Sequence, residues 1–409
     1  MSHNPETHRF FLLTLDPVHV GTGGTQLGRV DLSIVREPGT RLPKIPGSSL
    51  HGMIRAYAAH RYGKPQCAGQ GKNHCAKPTC PICYTFGYAR DKEGGRAGVV
   101  AISDARILLF PVYSMVGPVW VSTLNILQEA GFQVRQNDQV RQNDNNVSGE
   151  GPFATFERKQ PLNLGWLMID APAQVTITGQ SQTSTQQDNT WASLPEPIRN
   201  RVVLVSHKLF SQIVNSNLEV RTSVSINPET GAAEEGALFT YEAIPRATVL
   251  WMDVVVSDYR KAFPSFNNVV NKWWQQIKSD WEQGDIPDKY PQEKKEAITQ
   301  ALPVLQAAGF RVPEHIPSTD KESFWKLVRE ALVALKADAI RYQKTNLKWE
   351  EPLHVLYSGL EWTAHLGVGG MGTRGFGRVR VIARCKAGDG NTLTNYQEVY
   401  REETKDQPE

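Results

Sequence analysis

Charge of one sign is in short supply. The chain carries 45 lysines and arginines against 42 aspartates and glutamates, a formal net charge of +3 at pH 7. That surplus is too small for bulk basicity to establish a polyanionic partner, so any such site must come from local clustering. Long hydrophobic runs are missing as well. No stretch approaches roughly eighteen apolar residues, which argues against a membrane span. FFLLTL behind the polar MSHNPETHR is too short for a secretory signal. Cysteine is sparse, five in 409 residues, yet four of the five fall within 17 residues. A disulfide scaffold spreads its cysteines along the chain, so a reducing, cytoplasmic setting and another use for the cluster are expected. With 40% hydrophobic content the chain can bury a large core.

HRFFLLTL reads as a strand stopped by Asp16 and Pro17, and VDLSIV alternates at period two. PKIPGSSLHGMIRAYAAHRYG reads as a helix. Ser48 or Ser49 caps it, Leu50, Met53, Ile54 and Tyr57 form an apolar stripe, Gly63 stops it, and His51, Arg55 and Arg61 point elsewhere. Strands return in AGVVAISDARILLFPVYS. QVRQND, written twice in tandem at 133–144, and the Gln/Ser/Thr-rich stretch 178–192 read as solvated loops. Residues 215–256 are β again, with NPETG at 227–231 as the turn of a hairpin. Residues 258–350 switch to helical periodicity, as in the stripe from Phe324 to Leu335 behind the capping box TDKE. Because strand-like GRVRVIAR resumes at 377, this block reads as an insertion.

Three stretches carry chemistry. Cys67, Cys75, Cys80 and Cys83 give the spacing C-x7-C-x4-C-x2-C, which suits four thiolates around a structural zinc, with His74 as an alternative to Cys75. A redox C-x-x-C would leave the two outer cysteines unexplained. HLGVGGMGTRGFGRVRVIARCK holds six glycines, with Arg374, Arg378, Arg380, Arg384 and Lys386 and no acid. Glycines let a backbone approach a phosphate, arginines neutralise it, and Phe376 offers a ring to a base. A dinucleotide fold competes, since Gly367, Gly369 and Gly372 satisfy G-x-G-x-x-G, but that motif requires a helix directly after it and an alternating strand follows; a simple glycine turn is the other reading. Finally, Asp31 stands between Arg29 and Arg36 behind VHVGTGG. It is either half of a salt bridge or the carboxylate of an RNA cut site, where a 2′-oxygen must lose a proton directly or with help from a divalent ion.

VHVGTG, GRVDLSIVRE, LPKIPGSSLHGMIR, ISDARILLFPVYSMVGPVWVST, INPETG, EEGALFTYEAIPRATVL and GGMGTRGFGRVRV, in this order, resemble the RAMP superfamily. Within it they are most similar to the backbone subunits of type III-B (Cmr-like) CRISPR effector complexes, over roughly residues 9–125, 200–256 and 355–384. The resemblance implies an α+β fold, an RRM/ferredoxin-like βαββαβ core with a projecting thumb hairpin. The core would span 1–257 and 351–390, with a zinc-knuckle insertion at 64–90, the thumb at 215–245, a helical insertion at 258–350 and a polar tail at 391–409.

The resemblance further implies a subunit that binds guide crRNA, stacks with copies of itself and other effector subunits, and cuts complementary target RNA at regular intervals with a divalent cation such as Mg2+ or Mn2+. Asp31 would be the catalytic aspartate, with His19 and Glu242 at the cut site. Guide contacts would fall on Lys44, Ser48, Ser49 and Arg55, and on Gly369, Gly370, Gly372, Arg374, Phe376 and Arg378. The cysteine cluster is more typical of neighbouring type III subtypes, and the helical block is larger than the family pattern needs. Two other readings differ in class: a non-catalytic backbone subunit with Asp31 in a salt bridge, and a stand-alone processing ribonuclease, which needs a histidine-based acid–base pair.

Overall fold

The computed structural model describes residues 5–23, 30–69, 74–76, 80–89, 94–136, 151–179, 190–233, 239–265 and 350–387. Arg29, most of the tandem QVRQND repeat, the helical block beyond 265 and the polar tail lie outside the described residues. The chain divides into two compact units. Met1–Tyr57, Val100–Ser257 and Gly359–Val399 form the first, and Ala58–Val99, Asp258–Ser358 and Tyr400–Glu409 the second. Among the described residues no helix is long and apolar enough to cross a membrane.

The first unit is built on an eleven-stranded sheet. Its principal elements are β1 (Glu6–Thr14), α1 (Gly47–Arg61, of which the part up to Tyr57 belongs to this unit), β2 (Ala105–Val112), β3 (Val119–Ser122), β4 (Val202–Leu204), α2 (His207–Ser216), β5 (Glu219–Ser223), β6 (Phe239–Ala243), β7 (Val249–Val256), α3 (Pro352–Leu366, of which the part from Gly359 belongs to this unit) and β8 (Val379–Ala387). Strand order runs β8-β1-β7-β2-β3-β4 and then through three short strands, Phe153–Ala154, Ala173–Gly179 and Phe132–Gln136. The four strands β8, β1, β7 and β2 are antiparallel to their neighbours. Helix α1 falls between β1 and β2 in sequence, and α3 between β7 and β8.

β1 is apolar on both faces, with Phe10, Phe11 and Leu12 all buried, as suits a strand covered on each side. Its register with β7 is fixed by a cross-strand ion pair. Arg9 faces Asp253, and the guanidinium Nε donates to Oδ1 at 2.8 Å. The same guanidinium lies 4.4 Å from the Trp251 ring centroid, with Arg106 at 4.0 Å.

Helix α1 begins two residues earlier than a cap at Ser48 would set it. The Gly47 amide donates to Asp104 Oδ1 at 2.7 Å, so the first turn is capped by a carboxylate from before β2, and neither Ser48 nor Ser49 is the cap. Leu50 and Ile54 are buried, and so is Arg55, which was expected to face away from the core. Gly63, at φ +57, follows the last turn, as expected. The sequence pattern does not announce helix α3. It approaches α1 closely, since a Cβ on Gly359 would lie 2.2 Å from the Ile54 carbonyl oxygen. The Tyr57 hydroxyl donates to the Gly367 carbonyl at 2.6 Å, and Thr363 Oγ1 to the Val379 carbonyl at 2.6 Å, tying α1, α3 and β8 together.

The hairpin is present. β5 and β6 pair antiparallel from Glu219↔Ala243 to Ser223↔Phe239, and Ile226 bridges Ala233 farther out. Between them Asn227 Oδ1 accepts from the Glu229 amide, and the Gly231 amide donates to the Asn227 carbonyl at 2.8 Å, the turn that NPETG predicts.

Candidate RNA cut site and metal centre

Residues 31–34 run alongside β6, with Leu32 bridged to Tyr241. This brings Asp31 to Thr240. Asp31 Oδ2 accepts from the Thr240 amide at 2.7 Å and from its hydroxyl at 2.9 Å, and the Asp31 amide donates back to Thr240 Oγ1 at 3.1 Å. The side chain is exposed. The Thr240 amide, and after it the hydroxyl, hold the Asp31 carboxyl below the usual carboxylate range, so it is ionised at neutral pH.

Arg36 is turned away from Asp31. Its two terminal nitrogens each donate at 2.7 Å to an oxygen of Glu242, and its Nε donates to Asn215 Oδ1 of α2 at 3.0 Å. Glu242 Oε1 also accepts from the Ile34 amide at 3.0 Å. This pair is nearly buried, with 19% and 9% of the two side chains exposed. Both Glu242 oxygens are therefore engaged in pinning the 31–36 segment to β6, with three of the carboxylate's roughly four acceptor positions filled.

His19 is buried and sits beneath the same strand. Its Nδ1 is 2.7 Å from the Glu242 carbonyl oxygen, which only accepts, so that nitrogen carries the proton in the neutral ring. Nε2 faces Gly21, where a Cβ would come within 3.1 Å. The His19 carbonyl accepts from the Gly370 amide at 2.9 Å. Gly369, at φ +87, passes so close that a Cβ would lie 2.2 Å from that carbonyl oxygen. VHVGTG and GVGGMGTRGFG, far apart in sequence, thus fold against one another. The glycine requirement at 369 comes from this close approach to the chain's own backbone.

Phe376 is the floor of the site. It is 1% exposed and packs with Tyr241 and Ala243, under Leu32, Phe239 and Met371. The Tyr241 ring meets it edge-on at 5.3 Å, and the Arg221 guanidinium covers it at 4.7 Å. Arg374 is exposed, 6.0 Å from the Phe239 ring centroid. Arg378 donates to both oxygens of Asp16, at 2.5 and 3.0 Å, and its guanidinium hydrogen bond holds the Asp16 carboxyl below its ordinary range. Lys44 is paired with Asp104 at 2.5 Å.

In the second unit, the sulfurs of Cys67, Cys75, Cys80 and Cys83 all lie within 4.8 Å of one another, the one such group of metal-ligating side chains among the described residues. All four are free thiols. Three of the distances are 3.6 Å (Cys83–Cys67), 3.8 Å (Cys75–Cys83) and 3.9 Å (Cys80–Cys67). A tetrahedral zinc with bonds of about 2.3 Å sets its sulfurs about 3.8 Å apart, so the donor set fits a tetrathiolate site. Cys75, not the neighbouring His74, supplies the fourth group. Cys75 pushes the Cys67 thiol up, but hydrogen bonds from Cys80 and Cys83 outweigh this and draw it down to about 7. Contact with Cys67 and burial push Cys80 and Cys83 up.

A family model described as the RAMP superfamily matches residues 11–380. The chain belongs to the RAMP superfamily. Among curated relatives, this RAMP chain is 28% identical over 258 residues to a protein of Pyrococcus furiosus named CRISPR system Cmr endoribonuclease Cmr4, covering 61% of the chain and 81% of the relative. It is 38% identical over 78 residues to one of Methanothermobacter thermautotrophicus named CRISPR system Cms endoribonuclease Csm3, covering 19% and 30%. Among solved structures it is similar to a chain of the type III-B Cmr-beta complex bound to cognate target RNA, with TM-score 0.44, 14% identity, and 63% and 85% of the two chains covered. It is also similar to a crystal structure of Cmr4, with TM-score 0.40, 17% identity, and 95% and 99% covered.

Of the residues singled out in this RAMP chain, Asp31, His19 and Glu242 come together around β6, with Gly369, Gly370 and Phe376 beside them. Four differ from their expected condition. Phe376 is core and presents no face to a base; Arg55 is buried; Lys44 and Arg378 are each paired with a carboxylate. Ser48, Gly372 and Arg374 are exposed and Ser49 is half-buried. Thr240 was not singled out. A threonine in an alternating strand, FTYEA, is ordinary strand composition and carries no signal by itself.

Proposed function

We propose that this chain is a backbone subunit of a type III-B CRISPR effector complex that binds guide crRNA and cuts complementary target RNA at Asp31. The observation that carries the catalytic part is the condition of that carboxylate. It is exposed, ionised and held by Thr240, while Arg36, the described arginine that might have neutralised it, is occupied by Glu242. The name of the Pyrococcus relative, an endoribonuclease of a Cmr system, supports the same reading. So does the strand order β8-β1-β7-β2 with α1 and α3 as crossovers, which is the arrangement of an RRM-like βαββαβ core. The β5–β6 hairpin stands as the thumb.

Cutting RNA without an external nucleophile requires a ribose 2′-oxygen to lose its proton and bond to the adjacent phosphorus. The bond from phosphorus to the 5′-oxygen breaks, and that oxygen takes up a proton. With Oδ2 held by Thr240, Asp31 Oδ1 is the atom presented to the 2′-hydroxyl. A divalent cation such as Mg2+ or Mn2+, when bound, offsets phosphate charge. Asp31 and the RNA phosphates would hold it, an all-oxygen donor set of the kind Mg2+ accepts. Glu242 fixes the segment that carries Asp31, and His19 holds the β6 backbone at Glu242. Ser48, Ser49, Gly370, Gly372 and Arg374 are the proposed guide contacts, and base pairing with the guide supplies target specificity. The four cysteines form a closed structural zinc site with no open position for substrate.

A complex reconstituted with Asp31→Ala is expected to assemble on guide and bind target at wild-type affinity while cutting is lost. Undiminished cutting removes Asp31 and leaves a non-catalytic scaffold. Cleavage of precursor RNA by the isolated chain would favour a processing ribonuclease instead.

A further inference from the structure

We propose that Thr240 is a positioning residue for RNA cleavage, clamping the Asp31 carboxylate so that one oxygen is fixed and the other faces the RNA. The inference rests on the reading of Asp31 as the cutting carboxylate. Two residues 209 positions apart share three hydrogen bonds: Thr240 amide to Oδ2, Thr240 hydroxyl to Oδ2, and Asp31 amide to Thr240 Oγ1. A hydroxyl has one proton to give. Because the Asp31 amide arrives at Oγ1 as a donor, that proton is directed to Oδ2, and the rotamers of both side chains are set together. An exposed aspartate otherwise moves among staggered wells. This one is restricted by a partner on a paired strand through Oδ2, while no other described residue donates to its Oδ1.

The clamp also has a consequence for the hairpin. Thr240 belongs to β6, where it pairs with Thr222 of β5. The strand that fixes the carboxylate is therefore a strand of the hairpin, so the position of the hairpin and the aim of Asp31 are set by the same backbone. Glu242 and Arg36 hold the same segment two residues farther along, through the Ile34 amide, but do not touch Asp31. Thr240 alone among these acts on the carboxylate itself.

The test is single-turnover cleavage by the reconstituted complex at saturating target, with target affinity measured separately. Thr240→Val keeps the backbone amide and the branched β-carbon but deletes the hydroxyl. It is expected to lower the cleavage rate about 10- to 100-fold, the scale of a mispositioned catalytic group, with target affinity unchanged. Thr240→Ser restores the hydroxyl and should cut within about threefold of wild type by the same argument. If the valine variant fails to assemble, Thr240→Ala serves the same comparison. Asp31→Ala is run beside them. Loss of cutting in Asp31→Ala together with wild-type rates in the hydroxyl-less variants overturns the clamp and leaves the nuclease reading intact. Full cutting by Asp31→Ala overturns the nuclease reading and the clamp with it. A rate loss that serine does not rescue also overturns the clamp, because the hydroxyl is then not what the site uses.

Discussion

Glu242 discriminates between a chemical and a mechanical role for the residues around Asp31. Its carboxylate accepts two hydrogen bonds from Arg36 at 2.7 Å and one from the Ile34 amide at 3.0 Å, with only 9% of its side chain exposed. Removing one partner of such a buried pair leaves the other charge without compensation, at a cost of about 3–5 kcal/mol. Glu242→Ala should therefore lower the thermal midpoint by roughly 6–20 °C, at about 2–4 °C per kcal/mol for a unit of this size. Removing both charges avoids most of that penalty, since an apolar pair of similar volume is often neutral. Thermal unfolding and cleavage by Glu242→Ala, Arg36→Met and the pair Arg36→Met/Glu242→Leu form the assay. If Glu242 only anchors the strand, the double variant regains both stability and cutting. A double variant that is stable but does not cut refutes this reasoning and makes Glu242 part of the chemistry.

Metal analysis of the purified chain should find about one zinc per chain, released on denaturation, and Cys80→Ser or Cys83→Ser should sharply reduce soluble protein. Burial raises the Asp104 carboxyl, but hydrogen bonds from Lys44 and the Gly47 amide outweigh this and lower it. Its contribution, on the order of 1 kcal/mol after solvent screening, is thus present above the unfolded value near about 3.9 and lost as pH falls through the lower folded value. Denaturation of Asp104→Asn should show a deficit at pH 7 that vanishes in stronger acid; a deficit constant with pH would contradict the carboxylate cap. Arg374→Ala should weaken guide binding and reduce the slope of affinity against salt by about one ion. Phe376→Ala should instead destabilise the fold by about 3–5 kcal/mol, read by chemical denaturation.

What was legible in the sequence follows the range over which each feature is determined. The cysteine cluster lies within 17 residues, and its spacing constrains it locally. β1, β2, the hairpin and β8 show in apolar alternation, continuous apolar runs and turn chemistry, all short-range signals. The start of α1 was displaced because its capping carboxylate, Asp104, lies 57 residues from Gly47, while the nearby serines are the local imitation of a cap. α3 was missed because PLHVLYSGLEWTAHL buries most of its turns and so shows little of the one-sided period that marks a surface helix. Asp31 could be singled out, but its condition could not be read. Arg36 stood five residues away as the obvious partner, whereas Glu242 takes that arginine from 206 residues away and Thr240 holds the carboxylate from 209. The glycine loop was recognised by residue type. Its close approach at Gly369 is to His19, a contact no local pattern encodes.

The most direct measurement is cleavage of complementary RNA by a reconstituted complex carrying Asp31→Asn, at target occupancy matched to wild type. Asparagine keeps the shape of the side chain and an oxygen for Thr240 but removes the charge. Products at the regular cut positions should disappear with guide and target still bound. Wild-type products at those positions would show that this carboxylate does not cut RNA.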